Sequence, residues 1–161
     1  MSVLRASVLG GVDGIITSFA IAAGAHAASF SMNVVLVIGM SSVLADGLSM
    51  GISEYISSSG ARAERVKDGT LQERDARPLS LGLSCFVAFV ICGSVPIATY
   101  LLTYGNLLSC AMFSIACLML LGSARTLLSG ESLLLGFAQT TILGSIAGGV
   151  AYGVGFMLHS S

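Results

Sequence analysis

The sequence has very little charge. Only 9% of its 161 residues are Asp, Glu, Lys or Arg, whereas about 25% of residues are charged in an average soluble domain. Fifteen charged residues are too few to cover the surface of a soluble fold of this length. The net charge of −1 leaves no basic surface for phosphates, which excludes a nucleic-acid-binding protein. Tryptophan is absent, and four cysteines in a chain this apolar do not indicate a disulfide-stapled secreted scaffold.

Apolar residues are abundant, and the charge is concentrated in one short segment. Hydrophobic residues make up 55% of the chain, and the mean hydropathy is +0.93. Nine of the fifteen charged residues fall between Arg62 and Arg77. A chain of this kind is typical of an integral membrane protein. We therefore expect the lipid bilayer to be its principal solvent.

Five apolar segments are long enough to cross a membrane as helices. A spanning helix needs about 20 mostly apolar residues, whereas the strands of a membrane barrel alternate over about 10 residues. The runs here are continuous, so the predicted fold is all-α with one domain. Pro78 suits the first turn of the third helix. The predicted spans cover residues 7–30, 34–57, 79–102, 107–127 and 133–159, with a charged connection at 58–78.

The positions of the basic residues predict an orientation. With five spans, all seven Lys and Arg residues lie on the same side of the membrane, and that side is normally cytoplasmic. We therefore expect a cytoplasmic N-terminus and a C-terminus, with His159, on the far side. The first segment also has features of a cleaved signal peptide, with Arg5 before an apolar stretch and His26 between two alanines. Asp13 within that stretch argues against cleavage.

Three carboxylates lie within the predicted spans, at Asp13, Asp46 and Glu54. A charged side chain at the bilayer centre costs roughly 2.5–3.5 kcal/mol, and such residues commonly mark ion or proton pathways. The alternative is that each carboxylate pairs with a neighbour or lies close enough to the surface to be hydrated. Glu54 is nearest to the predicted end of its helix.

The spacing of these residues suggests a metal site. Asp46, Met50 and Glu54 are four residues apart, so they form one stripe on the second helix. Counting from the predicted cytoplasmic ends places Asp13, Met50 and Glu54 at one level and Asp46 deeper. Carboxylate oxygens with a thioether sulfur suit a divalent transition metal better than Mg²⁺ or Ca²⁺. Met50 alone would otherwise be interpreted as core packing.

Two motifs in the first two spans resemble those of the vacuolar iron transporter family. The first span reads GVDGIITSFA from Gly11, and the second reads SMGISEYIS from Ser49. The later spans agree more loosely, and the resemblance covers essentially the whole chain. Many members of the family carry a long, glutamate-rich cytoplasmic domain between the second and third spans, and this chain resembles the short, nodulin-like branch that lacks it. Here the connection has only about twenty residues with alternating charges, which is typical of a solvated helical extension.

The resemblance implies a five-helix homodimer that moves Fe²⁺, and often Mn²⁺, out of the cytosol in exchange for protons. It maps the family's membrane site onto Asp13 and Met50, with Glu54 at the motif's glutamate. It places the protein in the membrane of a vacuole or another acidic organelle in a eukaryote, or in the plasma (inner) membrane of a bacterium. The alternative function is a membrane scaffold that keeps the fold without transport.

The other candidate residues have simpler interpretations. Cys85 and Cys92 are seven residues apart on the third helix, as are Cys110 and Cys117 on the fourth, so each pair faces one direction and a cysteine metal site is the alternative. No C-x-x-C spacing occurs, and packing is the favoured role for all four. His26 is expected to be an interfacial histidine, with pH sensing or assistance to metal release as the alternative. Arg125 is expected to anchor a helix end. No nucleophile–base pair, phosphate loop or HExxH motif indicates an enzyme, and no resident cofactor is expected.

Overall fold

The protein is a bundle of five helices. A computed structural model describes residues 2–72, 75–129 and 133–160, without the side chains of 124–129 and 133–137. No residue in these ranges forms a β-strand, so the predicted all-α class is confirmed. Arg125, which is predicted to anchor a helix end, has a side chain outside the described residues. The helices are α1 (Val3–Ala27), α2 (Met32–Lys67), α3 (Pro78–Leu102), α4 (Leu107–Ser129) and α5 (Leu133–His159).

Four of the helices are long and apolar enough to cross a membrane. They are α1, α2, α3 and the part of α5 from Ala138 to His159. In α4, the apolar helical stretch runs from Leu107 to Ser123, which is shorter than the other four. Large apolar side chains are exposed along the outer faces of all five helices. This is the pattern expected where lipid replaces water around a bundle.

Two helix ends differ from the predicted spans because helices do not stop where hydropathy falls. α1 begins at Val3 rather than near residue 7, and the hydroxyl of Ser2 caps it by accepting from the Arg5 N–H at 3.4 Å. α2 continues to Lys67, ten residues beyond its predicted end. Its 36 residues span about 54 Å, far more than the bilayer core needs.

α1 is the central helix, and the other four surround it incompletely. It contacts α2, α3, α4 and α5, and the outer helices contact one another in the order α2, α3, α4, α5. Within the described residues, α2 and α5 have no Cα atoms within 8 Å of each other. One side of α1 therefore lies uncovered between α2 and α5, and we call it the open face.

Glycines bring α3 into backbone contact with its two neighbours. A Cβ on Gly14 of α1 would lie 2.6 Å from the Phe89 carbonyl oxygen, closer than real Cβ atoms come. On the other side, a Cβ on Gly82 would lie 2.6 Å from the Gly51 carbonyl oxygen of α2. These close contacts allow helices to pack without large side chains between them. They also fix the register of α1 and α2 against α3.

The connection after α2 folds back against that helix at the end of the bundle formed by residues 60–72 and 75–77, which we call the charged end. Arg65 donates to Asp75 Oδ1 at 2.8 Å, and the Gln72 N–H donates to Asp75 Oδ2 at 3.2 Å. The Gln72 hydrogen bond, followed by the Arg65 guanidinium, lowers the pKa of Asp75 below its ordinary value of 3.8. The opposite end, with the turns at 28–31 and 103–106, carries no Asp, Glu, Lys or Arg and is called the uncharged end.

Candidate metal site

Asp13 and Asp46 lie at the same level of the bundle, as the contacts of the glycines that follow them show. Asp13 directly precedes Gly14, which packs against the Phe89 backbone. Asp46 directly precedes Gly47, whose Cβ would lie 3.2 Å from the Phe89 ring. The two carboxylates interact electrostatically. Two like charges in a low-dielectric setting repel, so the pair favours a bound cation or a proton.

This level differs from the one that the sequence predicted. The prediction placed Asp13 beside Met50 and Glu54, with Asp46 deeper. In the structure, Met50 lies one turn and Glu54 two turns from Asp46 towards the charged end, because all three share one stripe of α2. The packing of α1 and α2 onto α3 sets this level, because Gly14 and Gly47 both contact Phe89, and residue counts from the helix ends do not report that packing.

The two aspartates have polar or open surroundings. The hydroxyl of Ser42, one turn before Asp46 on α2, donates to its Oδ2 at 2.5 Å. Asp13 and Asp46 are both exposed in the single chain. An exposed carboxylate within a membrane span is costly unless water, an ion or another protein surface covers it. The geometry therefore leaves the acidic pair available to a ligand from the open face.

The thioether of Met50 lies on the inner side of the same stripe. Met50 is half-buried and packs against the core cluster of Ala6, Leu81 and Cys85. Glu54 is also half-buried. The stripe thus offers oxygen and sulfur donors in succession from the middle of α2 towards the charged end. In the described part of the chain, no three His, Cys, Asp or Glu residues converge on one point, so a single chain does not form a closed coordination shell from them.

Cys85, which the sequence analysis paired with Cys92 and interpreted as packing, is a neighbour of the site. Its side chain is fully buried, and it interacts electrostatically with both Glu54 and Asp13. It lies at the junction of three helices, since its backbone packs against Gly10 of α1 and its cluster includes Met50 of α2. The spacing of Cys85 from Cys92 could not predict that Cys85 lies beside the site, because this position results from the packing of α1 and α2 onto α3. All four cysteines are free thiols.

The open face of α1 continues from the acidic pair into an apolar groove. Thr17, one turn beyond Asp13 on α1, lines a cavity of about 800 Å³ between α1 and α5. The cavity reaches the uncharged end, where Phe30 and His159 border it. Asp13 and this groove therefore lie along one uncovered side of the central helix, with Asp46 beside Asp13 on the neighbouring α2.

Comparison with known sequences decides the family of this chain. The sequence model of the VIT family matches residues 4–68 and 61–156, which together cover most of the chain. The chain belongs to the VIT family. The two VIT matches meet at residues 61–68, at the end of α2. This is the place where the sequence resemblance puts the domain that this chain lacks.

Relatives of this VIT-family chain include proteins named vacuolar iron transporter. The one from Toxoplasma gondii is 27% identical over 225 aligned positions, covering 97% of this chain and 74% of the relative. The one from Centaurea cyanus is 20% identical over 94% of this chain and 86% of the relative. One from Plasmodium falciparum is 42% identical over 59 residues, which are 37% of this chain and 22% of the relative. The 225 positions exceed the 161 residues of this chain, so the first alignment contains gaps opposite residues of the relative.

Proposed function

We propose that this VIT-family protein transports Fe²⁺, and also Mn²⁺, out of the cytosol in exchange for protons. The observation that carries the proposal is the acidic pair of Asp13 and Asp46 on the open face of the central span. Met50 adds a thioether one turn from Asp46 on the same stripe of α2. Relatives that share the whole length of the chain carry the name vacuolar iron transporter, which supports iron as the cargo.

The charge balance of the first two spans favours a divalent cation as the ligand. No Lys or Arg occurs between Arg5 and Arg62, so no basic side chain of α1 or α2 neutralises the carboxylates at membrane depth. A divalent ion would neutralise the acidic pair. The sulfur of Met50 favours Fe²⁺ and related ions over Mg²⁺ and Ca²⁺, which prefer oxygen ligands alone.

A homodimer would complete the site. The open face exposes Asp13, Asp46 and the apolar groove beside Thr17, which a second copy would cover. Related by twofold symmetry, two open faces would bring two sets of carboxylates and thioethers to one interface. This arrangement supplies the additional ligands that one chain lacks and removes the carboxylates from lipid.

Protons compete with the metal for the same carboxylates, which provides the coupling. We place the charged end in the cytosol, because the basic residues gather there. Metal would enter at neutral pH on that side and leave on an acidic far side, where protonation weakens carboxylate ligation. The membrane is that of a vacuole or another acidic organelle, or the plasma (inner) membrane of a bacterium.

Metal uptake into proteoliposomes with an imposed pH gradient tests the proposal. Asp13→Asn and Met50→Leu each remove a ligand with little change in shape, and each should lower the initial Fe²⁺ uptake rate by about tenfold or more. Matched controls make the same chemical changes elsewhere, at Asp68 in the charged connection and at the exposed Met112 of α4. Asp68→Asn and Met112→Leu should transport as the unmodified protein does.

Two results would contradict this function. Equal uptake by Asp13→Asn, Met50→Leu and their controls would refute the site. An absence of uptake of Fe²⁺, Mn²⁺ and Zn²⁺ by the unmodified protein, in liposomes where it is folded and correctly inserted, would instead indicate a membrane scaffold. Collapse of the pH gradient by an ionophore should stop uptake if protons are the exchanged ion.

A further inference from the structure

A hydrogen bond joins α1 to α3 at the uncharged end of the bundle. His26 Nδ1 and the Tyr100 hydroxyl oxygen lie 3.1 Å apart. The two rings meet edge to face, with centroids 6.0 Å apart and an interplanar angle of 87°. His26 is in the last turn of α1 and Tyr100 is two residues before the end of α3. The pair therefore joins α1 to α3 at the uncharged end of the bundle.

The two partners have opposite environments. Tyr100 is only 4% exposed and belongs to a core cluster with Ala22, Val35 and Cys110, which come from α1, α2 and α4. His26 is exposed. The imidazole therefore lies on the surface of the bundle at its uncharged end, whereas Tyr100 packs among residues of four helices. Loss of the hydrogen bond would therefore disturb the packing of this end of the bundle.

The burial of Tyr100 indicates which group donates. A buried phenol needs an acceptor for its proton, because an unmade hydrogen bond in the core costs free energy. The Tyr100 hydroxyl finds that acceptor if it donates to Nδ1 of a neutral His26, with the proton of the ring on Nε2. In the reverse arrangement the phenol oxygen would accept from Nδ1, and its own proton would have no acceptor among the described residues.

Protonation of His26 disrupts this arrangement. Both nitrogens of an imidazolium are donors, so Nδ1 can no longer accept from the phenol. The end of α1 tolerates the cation, since a positive charge is favourable at a helix C-terminus. No carboxylate replaces the lost acceptor at this end, and α2 contributes no titratable group there. The neighbouring titratable side chains are Cys110 in the core cluster, the exposed Tyr104 in the turn after α3, and His159 across the groove at the end of α5.

We propose that His26 and Tyr100 form a proton-operated latch between α1 and α3. The latch is closed while His26 is neutral and opens when acid at the uncharged end protonates the imidazole. This inference rests on the proposed function for its purpose: acid at the far side would loosen the exit end of the pathway as well as protonate the metal ligands. The latch itself requires neither metal nor transport.

Two substitutions should have opposite effects on the latch. His26→Gln keeps an oxygen acceptor for the phenol but cannot be protonated, so the latch stays closed at every pH. Tyr100→Phe removes the hydroxyl and leaves the ring, so the latch stays open at every pH. His159→Gln is the matched control, because it removes the other histidine of the chain and leaves the pair intact.

Fluorine NMR of the metal-free protein in lipid nanodiscs detects the pair directly. The chain has four tyrosines, and labelling with 3-fluorotyrosine gives four signals, of which the one missing from Tyr100→Phe is Tyr100. We expect this signal to shift between about pH 8 and pH 5 in the unmodified protein and in His159→Gln, and to stay constant in His26→Gln. A Tyr100 signal that ignores pH, or that still titrates in His26→Gln, would overturn the latch.

Hydrogen exchange of the backbone measures the opening. After correction for intrinsic rates, amides of residues 28–30 and 103–106 should exchange about fivefold faster in acid, the factor that a hydrogen bond of about 1 kcal/mol represents. His26→Gln should remain slow and Tyr100→Phe should be fast at both pH values. Equal exchange in all variants would also overturn the latch. Because these readouts use metal-free protein, they stand or fall separately from metal transport.

Discussion

Substitution of Gly14 by alanine tests whether backbone contact between α1 and α3 holds the acidic pair in place. The added Cβ would lie 2.6 Å from the Phe89 carbonyl oxygen and 3.1 Å from the Gly93 nitrogen. Ordinary contact begins at 3.4 Å, so the helices must separate locally by about 0.8 Å. A gap of this size forfeits a quarter to a half of the dispersion energy of the atoms that face it. The obstruction is backbone, which has no rotamer to move aside.

The expected loss of stability follows from two opposing contributions. Overpacking of this kind costs roughly 1–3 kcal/mol, and the better helix propensity of alanine returns about 0.5–1 kcal/mol. The net free energy of unfolding should fall by about 1–2 kcal/mol. Gly149 on α5 is the matched control, since a Cβ there would meet no atom within 4 Å. Gly149→Ala should leave the stability unchanged or raise it slightly.

Denaturation of both variants in mixed detergent micelles, followed by far-ultraviolet circular dichroism, measures these differences. Gly14→Ala should also reduce Fe²⁺ uptake, because the displacement of α1 moves the neighbouring Asp13 away from Asp46. A Gly14→Ala protein as stable and active as Gly149→Ala would show that the helices are not in backbone contact. The proposed role of their register in the site would then have no basis.

Three further predictions concern other parts of the chain. Asp75→Asn should lower the unfolding midpoint slightly at pH 7; because contacts depress the folded-state pKa of Asp75, this difference should vanish as the pH falls below 3.8 and through the folded-state value. Cys110→Ala, which removes a buried thiol that donates to a backbone carbonyl of α3, should cost about 1 kcal/mol of unfolding free energy in the same denaturation assay. If the charged end is cytoplasmic, a membrane-impermeant maleimide should label Gly60→Cys only from the cytosol and Tyr104→Cys only from the far side.

The fold class was predictable because hydropathy reports directly on the solvent. Pro78 marked the start of α3 correctly, since a proline is tolerated where the first turn has no hydrogen bond to lose. The end of α2 was less predictable. Charged residues end a hydropathic segment but are good helix formers, so the helix continues to Lys67. Ser2 caps α1, so this helix likewise begins before the apolar run.

The candidate site was only partly predictable, since its residues are local but its geometry is not. The stripe of Asp46, Met50 and Glu54 follows from helical periodicity alone. The level of Asp13 against that stripe depends on how α1 and α2 each pack onto α3, which no spacing within either helix reveals. The contact of His26 with Tyr100 joins residues 74 positions apart. Sequence identified the histidine as a candidate and gave no indication of its partner.

The central position of α1 has a consequence for biosynthesis. α1 precedes the other helices in the chain, so it is made before the residues that it packs against, such as Phe89 of α3 and Ala151 of α5. Until those helices are made, its glycines and Asp13 face lipid or the insertion machinery without their final neighbours. Contacts so distant in sequence form slowly. Substitutions on the faces of α3 or α5 that contact α1 should therefore cause degradation during synthesis. They should lower the amount of protein before they impair the function of the folded protein.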